Sequence, residues 1–178
     1  MIEITRTKKR ELPVIFALYR RAFPPSERKP FSVIVKMART GRGNLWTFRR
    51  GRRFAGFAAT VNGQELVMLD YFAVKEDLRG RGLGSAALKK LMEHYGSRGF
   101  FVEIESTFEA AENMTQRKRR KEFYVNCDMV PMGTEADVFG VRMELLGIRC
   151  HLDFEGSRNF YRESLSPWAA EHIREVRL

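Results

Sequence analysis

The sequence is poor in the residues that build covalent staples and metal centres. It holds two cysteines, Cys127 and Cys150, and three histidines, His94, His151 and His172, in 178 residues. The cysteines form no CxxC pair and the histidines are scattered. Neither a disulfide framework nor a metal site is expected, and both thiols read as reduced. No apolar run approaches the ~20 residues a helix needs to cross a bilayer. Met1-Ile2-Glu3-Ile4-Thr5 lacks the apolar core of a signal peptide. A membrane partner is therefore not expected, and the cytoplasm is the expected compartment. There is no repeat, linker or low-complexity tract, so residues 1–178 read as one domain, long enough to bury a core unaided.

Negative charge is also in short supply, with 22 Asp and Glu against 32 Lys and Arg, a net charge of +10. The excess gathers in Arg49-Arg50-Gly51-Arg52-Arg53 and in Arg117-Lys118-Arg119-Arg120-Lys121. Such a balance suits nucleic acid, an anionic surface or a phosphate-bearing cofactor, and charge alone does not choose among them.

Periodicity supplies the frame. Ile2–Thr5 alternates as a strand. Leu12, Ile15, Phe16, Tyr19 and Phe23 recur at helical spacing, predicting a helix over about 8–23 that stops at Pro24-Pro25. A second helix is expected behind Ser32 as N-cap, ending at Gly41. Strands follow at Leu45–Arg49, Phe54–Val61 and Glu65–Val74, the last two joined by the hairpin signal Asn62-Gly63. A glycine-arginine loop leads into a helix carrying Leu88, Leu91, Met92 and Tyr95 on one stripe. Then come a strand at Phe100–Glu105, a basic helix over about 115–126, strands at Val130–Phe139 and Val141–Cys150, and an added helix at Phe154–Leu165.

The loop carries the functional argument. Arg79-Gly80-Arg81-Gly82-Leu83-Gly84 has neither the Lys-Ser/Thr of a Walker loop nor the spacing and first-unit position of a dinucleotide fingerprint. Gly82 and Gly84 admit backbone angles closed to other residues and let a ligand approach the main chain. The amides of residues about 80–85 then stand at a helix N-terminus, which favours an anion, with Arg79 and Arg81 adding charge-assisted bonds. The pattern reads as a seat for a diphosphate.

Tyr71-Phe72-Ala73-Val74 followed by Arg79-x-x-Gly82-x-Gly84 resembles the acetyl-CoA motif of the GNAT enzymes, and the order of elements resembles theirs over most of the chain. The resemblance implies an α/β GNAT fold: a central mixed, mostly antiparallel sheet of about six to seven strands flanked by about four helices, plus the C-terminal helix. It implies an N-acetyltransferase that moves an acetyl group from acetyl-CoA, as co-substrate and without metal, to the primary amine of a small-molecule acceptor by direct attack. Phe72, Ala73 and Val74 would offer backbone groups to the pantetheine, with the Val74 amide facing the thioester oxygen. Arg79, Gly80, Arg81, Gly82, Leu83, Gly84 and Ser85 would hold the diphosphate, with Arg120 reaching the phosphates from the basic helix. Phe123-Tyr124 matches the apolar-Tyr end of the second GNAT motif, which makes Tyr124 the general acid toward the departing thiolate. The chain departs from the family at Arg117, where Asn is frequent, and at Asp128-Met129, where Gly-Phe is frequent.

Glu103 and Glu105 alternate with apolar residues on their strand and share a face. Glu105 is the first candidate for the base that takes the amine proton and Glu103 the second; a merely polar strand face is the competing reading. In the segment between the first two helices, Glu27 and Arg28 are candidate acceptor contacts, and the acidity of Glu27, Glu103 and Glu105 would suit a polyamine, amino sugar or amino acid. A nucleic-acid-binding domain stacking bases on Trp46, Phe123 and Tyr124 is the alternative, together with a GNAT fold that senses acyl-CoA without turnover. No nucleic-acid motif is legible, and nucleic acid is not the expected partner. A homodimer is an admissible assembly.

Overall fold

The computed structural model describes residues 1–176. It contains eight strands and six α-helices: β1 Ile2–Arg6, α1 Leu12–Ala22, α2 Phe31–Arg39, β2 Gly43–Arg50, β3 Arg53–Asn62, β4 Leu66–Val74, α3 Leu83–His94, β5 Gly99–Glu105, α4 Met114–Val125, β6 Val130–Val138, β7 Val141–Ile148, α5 Phe154–Ser164, α6 Pro167–Glu171 and β8 Ile173–Glu175. The count exceeds the expected six to seven strands because β8 is only three residues long. Its place comes from pairing with Ala136–Val138 of β6, which no local pattern announces. The chain's contacts divide into two compact units, Met1–Asn62 with Leu69–Gly96 and Gly63–Met68 with Ser97–Leu178.

In the first unit the hydrogen-bonded order is β1-β2-β3-β4, with β2 antiparallel to both β1 and β3. One sheet face carries Leu45, Phe57, Ala59, Tyr71 and Ala73. These pack with Ile15, Leu18 and Tyr19 of α1 and Ile34 of α2 into a single apolar cluster. Of the expected α1 stripe, Ile15 and Tyr19 are buried and Leu12 and Phe23 half-buried, whereas Phe16 is exposed and Leu18 takes its place in the core. α2 differs from expectation, because Pro30 and not Ser32 is its N-cap residue. Proline's fixed φ leads the chain into the first turn and needs no side-chain cap.

Gly56 answers to close approach and not to turn geometry. A Cβ there would overlap the Ala73 carbonyl oxygen and press on Val74 Cα, beside the irregularity in β2–β3 register at Phe48/Arg49. We expect Gly56→Ala to destabilise the protein by about 1–3 kcal/mol, as overpacking does. It should also shift the end of β4; a thermal melt unchanged within error would remove this account.

In the second unit the opening residues of β4 are followed by β5-β7-β6-β8. The printed pairs β5–β7, β6–β7 and β6–β8 are all antiparallel. α5 packs Phe160 edge-on against Phe101, ring centroids 4.9 Å apart. The Asn62-Gly63 signal is resolved differently from the expected two-residue turn. Gly63 has no positive φ; instead, a Cβ on it would stand 2.9 Å from the Phe160 ring.

Candidate active site

In the first unit β4 runs through Phe72, Ala73 and Val74 into a 3₁₀ turn over Glu76–Leu78 and then the loop. Phe72 packs its ring 5.3 Å from that of Phe48, and Ala73 and Val74 are buried. Arg79 Nε donates to the Val74 carbonyl at 3.1 Å, which ties the loop to the end of the strand. Gly80 and Gly82 both take left-handed angles, φ 71° and 69°, and a Cβ on either would meet nothing within 4 Å. Gly82 is the N-cap residue of α3, and no side chain caps that helix. Its first intrahelical bond runs from the Ala86 amide to the Gly82 carbonyl. By helix geometry the amides of Leu83, Gly84 and Ser85 have no intrahelical acceptor. Arg79 and Arg81 are exposed beside them.

The segment before α2 is held by two tyrosine hydroxyls that the sequence reading passed over. Tyr19 Oη donates to the Lys29 carbonyl at 2.8 Å and Tyr71 Oη to that of Glu27 at 2.9 Å. The Lys29 amide donates back to Tyr71 Oη at 3.0 Å, and Lys29 Nζ bonds Asp70 Oδ1 at 2.7 Å. Burial and the neighbouring Asp70 carboxylate push the Tyr71 phenol well above its ordinary range, so it stays a donor. A recess of about 340 Å³ opens beside this segment, with Arg28 and Lys29 on its wall. Glu27 contributes its backbone carbonyl to the fastening, and only Arg28 of the two acceptor candidates lines the recess.

In the second unit three of the five cations in the basic run on α4 prove to be ion-paired and half-buried. Arg117 Nη2 lies 3.1 Å from Glu105 Oε1 and Arg120 Nη1 lies 3.1 Å from Glu105 Oε2. Lys121 Nζ lies 2.5 Å from Glu144 Oε2. Only Lys118 and Arg119 of the five are exposed. In the other run Arg49 is matched to Glu11 and Arg53 to Asp77. Two of the three stacking residues of the nucleic-acid reading are out of reach: Trp46 is 2% exposed, beneath Arg6, and Tyr124 is buried, while Phe123 is half-buried. α4 is fastened to its unit by ion pairs in place of an apolar stripe, with Tyr124 its one buried residue.

Glu105 also accepts from Asn113 Nδ2 at 3.2 Å, so both carboxylate oxygens are engaged by donors. These bonds give Glu105 a structural part, tying α4 to β5, and leave it acceptor capacity to spare. Glu103 accepts from Tyr161 Oη at 2.5 Å and from Ser157 Oγ at 3.3 Å, both on α5. Spacing had no means of finding Ser157 or Tyr161, which lie 54 and 58 residues from Glu103. Burial pushes the Tyr124 phenol up to about 12, with the Arg120 guanidinium pulling the other way. The departure at Asp128-Met129 is met in kind. Asp128 adopts φ 69°, the left-handed angle a glycine would take, and Met129 is buried where the family places an aromatic.

Among the described residues no group of three His, Cys, Asp or Glu side chains is placed to hold a metal. No described helix is long and apolar enough to cross a membrane.

The element order, with a glycine-arginine turn opening an uncapped helix after a buried strand, is that of an α/β acyltransferase. The model of the acetyltransferase (GNAT) family matches residues 12–119, and the chain belongs to that family. Solved structures agree in fold. A candidate GNAT-family acetyltransferase from Bacteroides thetaiotaomicron has a TM-score of 0.74 at 20% identity, over 92% of this chain and 95% of that one. The ribosomal-protein-S18-alanine N-acetyltransferase from Escherichia coli has a TM-score of 0.64 at 17% identity, over 85% and 96%. A Bacillus subtilis acetyltransferase in complex with CoA has a TM-score of 0.57 at 18% identity, over 83% and 96%. No curated protein sequence matches the chain significantly. The fold class expected from the sequence is the one found, and the chain is an acetyltransferase.

Proposed function

We propose that this acetyltransferase, as a single cytoplasmic domain spanning residues 1–178, takes its acetyl group from acetyl-CoA and delivers it to the primary amine of a small-molecule acceptor by direct attack. The observation that carries the reading is the pair of left-handed glycines, Gly80 and Gly82, before an uncapped α3. Three features of this loop fit a diphosphate: free amides at a helix start, open space where side chains would be, and two exposed guanidinium groups. Arg79, Arg81 and the amides of Leu83, Gly84 and Ser85 would hold the diphosphate, and Phe72, Ala73 and Val74 the pantetheine.

A bound CoA thioester would supply an activated acetyl group. The Val74 amide is assigned to the thioester oxygen, where a fixed donor meets developing charge. Tyr124 is assigned to the departing sulfur, with Arg120 one turn earlier on α4. We give Glu105 the task of holding α4 in place, because its oxygens accept from Arg117, Arg120 and Asn113, and assign the amine proton to water.

Acetyl-CoA titrated calorimetrically into the protein, followed by thiol release with a panel of amines, tests the reading. Micromolar binding without thiol release from any amine would favour the sensor alternative. Gly82→Val should weaken CoA binding by at least tenfold. A valine at φ 69° is strained by about 1–2 kcal/mol or more, and its branches would stand where the phosphates are placed. Undiminished CoA affinity in that variant would remove the loop assignment.

A further inference from the structure

The recess beside the α1–α2 segment has a chemistry of its own. Its volume of about 340 Å³ is at the low end for small-molecule sites, which run from roughly 300 to 1,000 Å³. One wall is aromatic: Phe31 lies 5.1 Å from Phe16 and 5.6 Å from Tyr19, centroid to centroid. The other lining groups include Arg20, Arg28 and Lys29, and no carboxylate lines the recess. Lys29 is paired with Asp70, and Arg20 lies over the Phe16 ring at 5.8 Å. Among the described residues, neither Arg20 nor Arg28 has an ion-pair partner. Arg49, Arg53, Arg117, Arg120 and Arg142 are each matched to a carboxylate. Two guanidinium groups without counter-charge therefore flank one small aromatic recess.

The geometry is also preorganised. Tyr19 and Tyr71 fix the backbone on both sides of Arg28, and the Lys29–Asp70 pair fixes its neighbour, so little ordering remains to oppose binding. Tyr71 precedes Val74 by three residues on β4, roughly 10 Å along the strand. Tyr71, whose hydroxyl holds the segment bearing Arg28, thus lies on the same strand as the amide assigned to the thioester.

We propose that this recess selects the acceptor: the amine acetylated by this protein carries a carboxylate, received by Arg28 with Arg20, and a flat apolar group lying against Phe16, Tyr19 and Phe31. The inference rests on the acetyl-transfer reading for the word acceptor, but the binding chemistry stands apart from it. It replaces the polyamine and amino-sugar expectation: of the carboxylates invoked for that, Glu103 and Glu105 are engaged elsewhere and Glu27 does not line the recess. A planar guanidinium is the side chain suited to bidentate recognition of a carboxylate.

Two measurements on the whole protein test it. In the first, phenylacetate is titrated into the protein without CoA, followed by NMR or calorimetry. Binding that weakens with added salt and falls at least fivefold in Arg28→Gln is expected. No detectable binding at millimolar concentration, or binding indifferent to Arg28→Gln in a variant with a wild-type melt, overturns the proposal. In the second, thiol release is compared for matched amines: phenylalanine against its carboxamide, 4-(aminomethyl)benzoate against its carboxamide, and an acidic hexapeptide. The acids should have kcat/KM values at least tenfold above their amides, with the ratio falling toward one in Arg28→Gln. Equal use of acids and amides overturns the proposal while acetyl transfer stands, and preference for the peptide overturns the small-molecule assignment. If no amine releases thiol, the transfer reading fails, and the phenylacetate titration still decides the recess.

Discussion

Tyr124→Phe is expected to lower kcat by about 10²–10³-fold, the usual cost of removing one donor aimed at developing negative charge, while CoA affinity stays near wild type. Phenylalanine fills the same volume, so the fold should persist. The chemistry behind the figure differs from the simple general-acid role that the resemblance implies. A phenol pushed up to about 12 by burial is a weaker acid than an ordinary thiol of about 8.5. Full proton transfer to the sulfur is then uphill by roughly 3–4 pH units, or about 5 kcal/mol. A hydrogen bond from the neutral hydroxyl costs nothing of the kind and still stabilises the thiolate as it forms. Two consequences follow. The hydroxyl is protonated at every pH below its raised value, so kcat should show no alkaline decline from this group up to about pH 11. The solvent isotope effect on the chemical step should be the same in the wild type and in Tyr124→Phe. A variant with wild-type kcat would end the assignment, and an isotope effect that Tyr124→Phe abolishes would restore proton transfer from this hydroxyl.

Much of the fold was legible because its signals are local. The apolar spacing of α1 and the apolar runs of β3 and β4 marked those elements, and most boundaries moved by only a residue or two; α1 begins at Leu12 and not near residue 8, because Lys9–Glu11 form a 3₁₀ turn. The loop was legible for a similar reason: glycine takes φ near +70° without strain. Gly82 takes that angle as expected, whereas Gly84 lies inside α3 with helical angles and Gly80 supplies the second left-handed position. What stayed hidden depends on partners distant in the chain. Gly63 signalled a turn but answers to Phe160, and β8 exists because β6 offers an edge. The run Arg117–Lys121 had the composition of a solvated or nucleic-acid-binding face. Its fate was decided by Glu105 and Glu144, which lie 12 or more residues away from the cations they meet. Nor does spacing show that Tyr19 and Tyr71 spend their hydroxyls on one short segment, the feature from which the acceptor recess takes its shape.

The ion pairs under α4 set the other large expectation. Removing the Glu105 carboxylate should destabilise the protein by about 3 kcal/mol, because it strands charge that is mostly out of water. The value belongs at the low end of the 3–5 kcal/mol range for broken buried pairs. Arg120, with a side chain 34% exposed, can turn to solvent, whereas Arg117, at 11%, keeps the Asn113 and Ser106 oxygens and Glu109. For a chain of this length, that loss lowers Tm by roughly 6–12 °C. Glu105→Ala should show the full drop and Glu105→Gln about half, since glutamine retains an acceptor for one guanidinium. If Glu105 anchors α4, both variants should bind CoA more weakly in proportion to how far Tyr124 and Arg120 are loosened. The pH dependence of kcat should then keep its wild-type form. If Glu105 is also the base, Glu105→Gln shows the same loss of Tm and in addition loses the acidic limb of the rate profile together with about 10²–10⁴-fold in kcat. The two outcomes separate on the pH profile of kcat, because the ion pairs are lost in both.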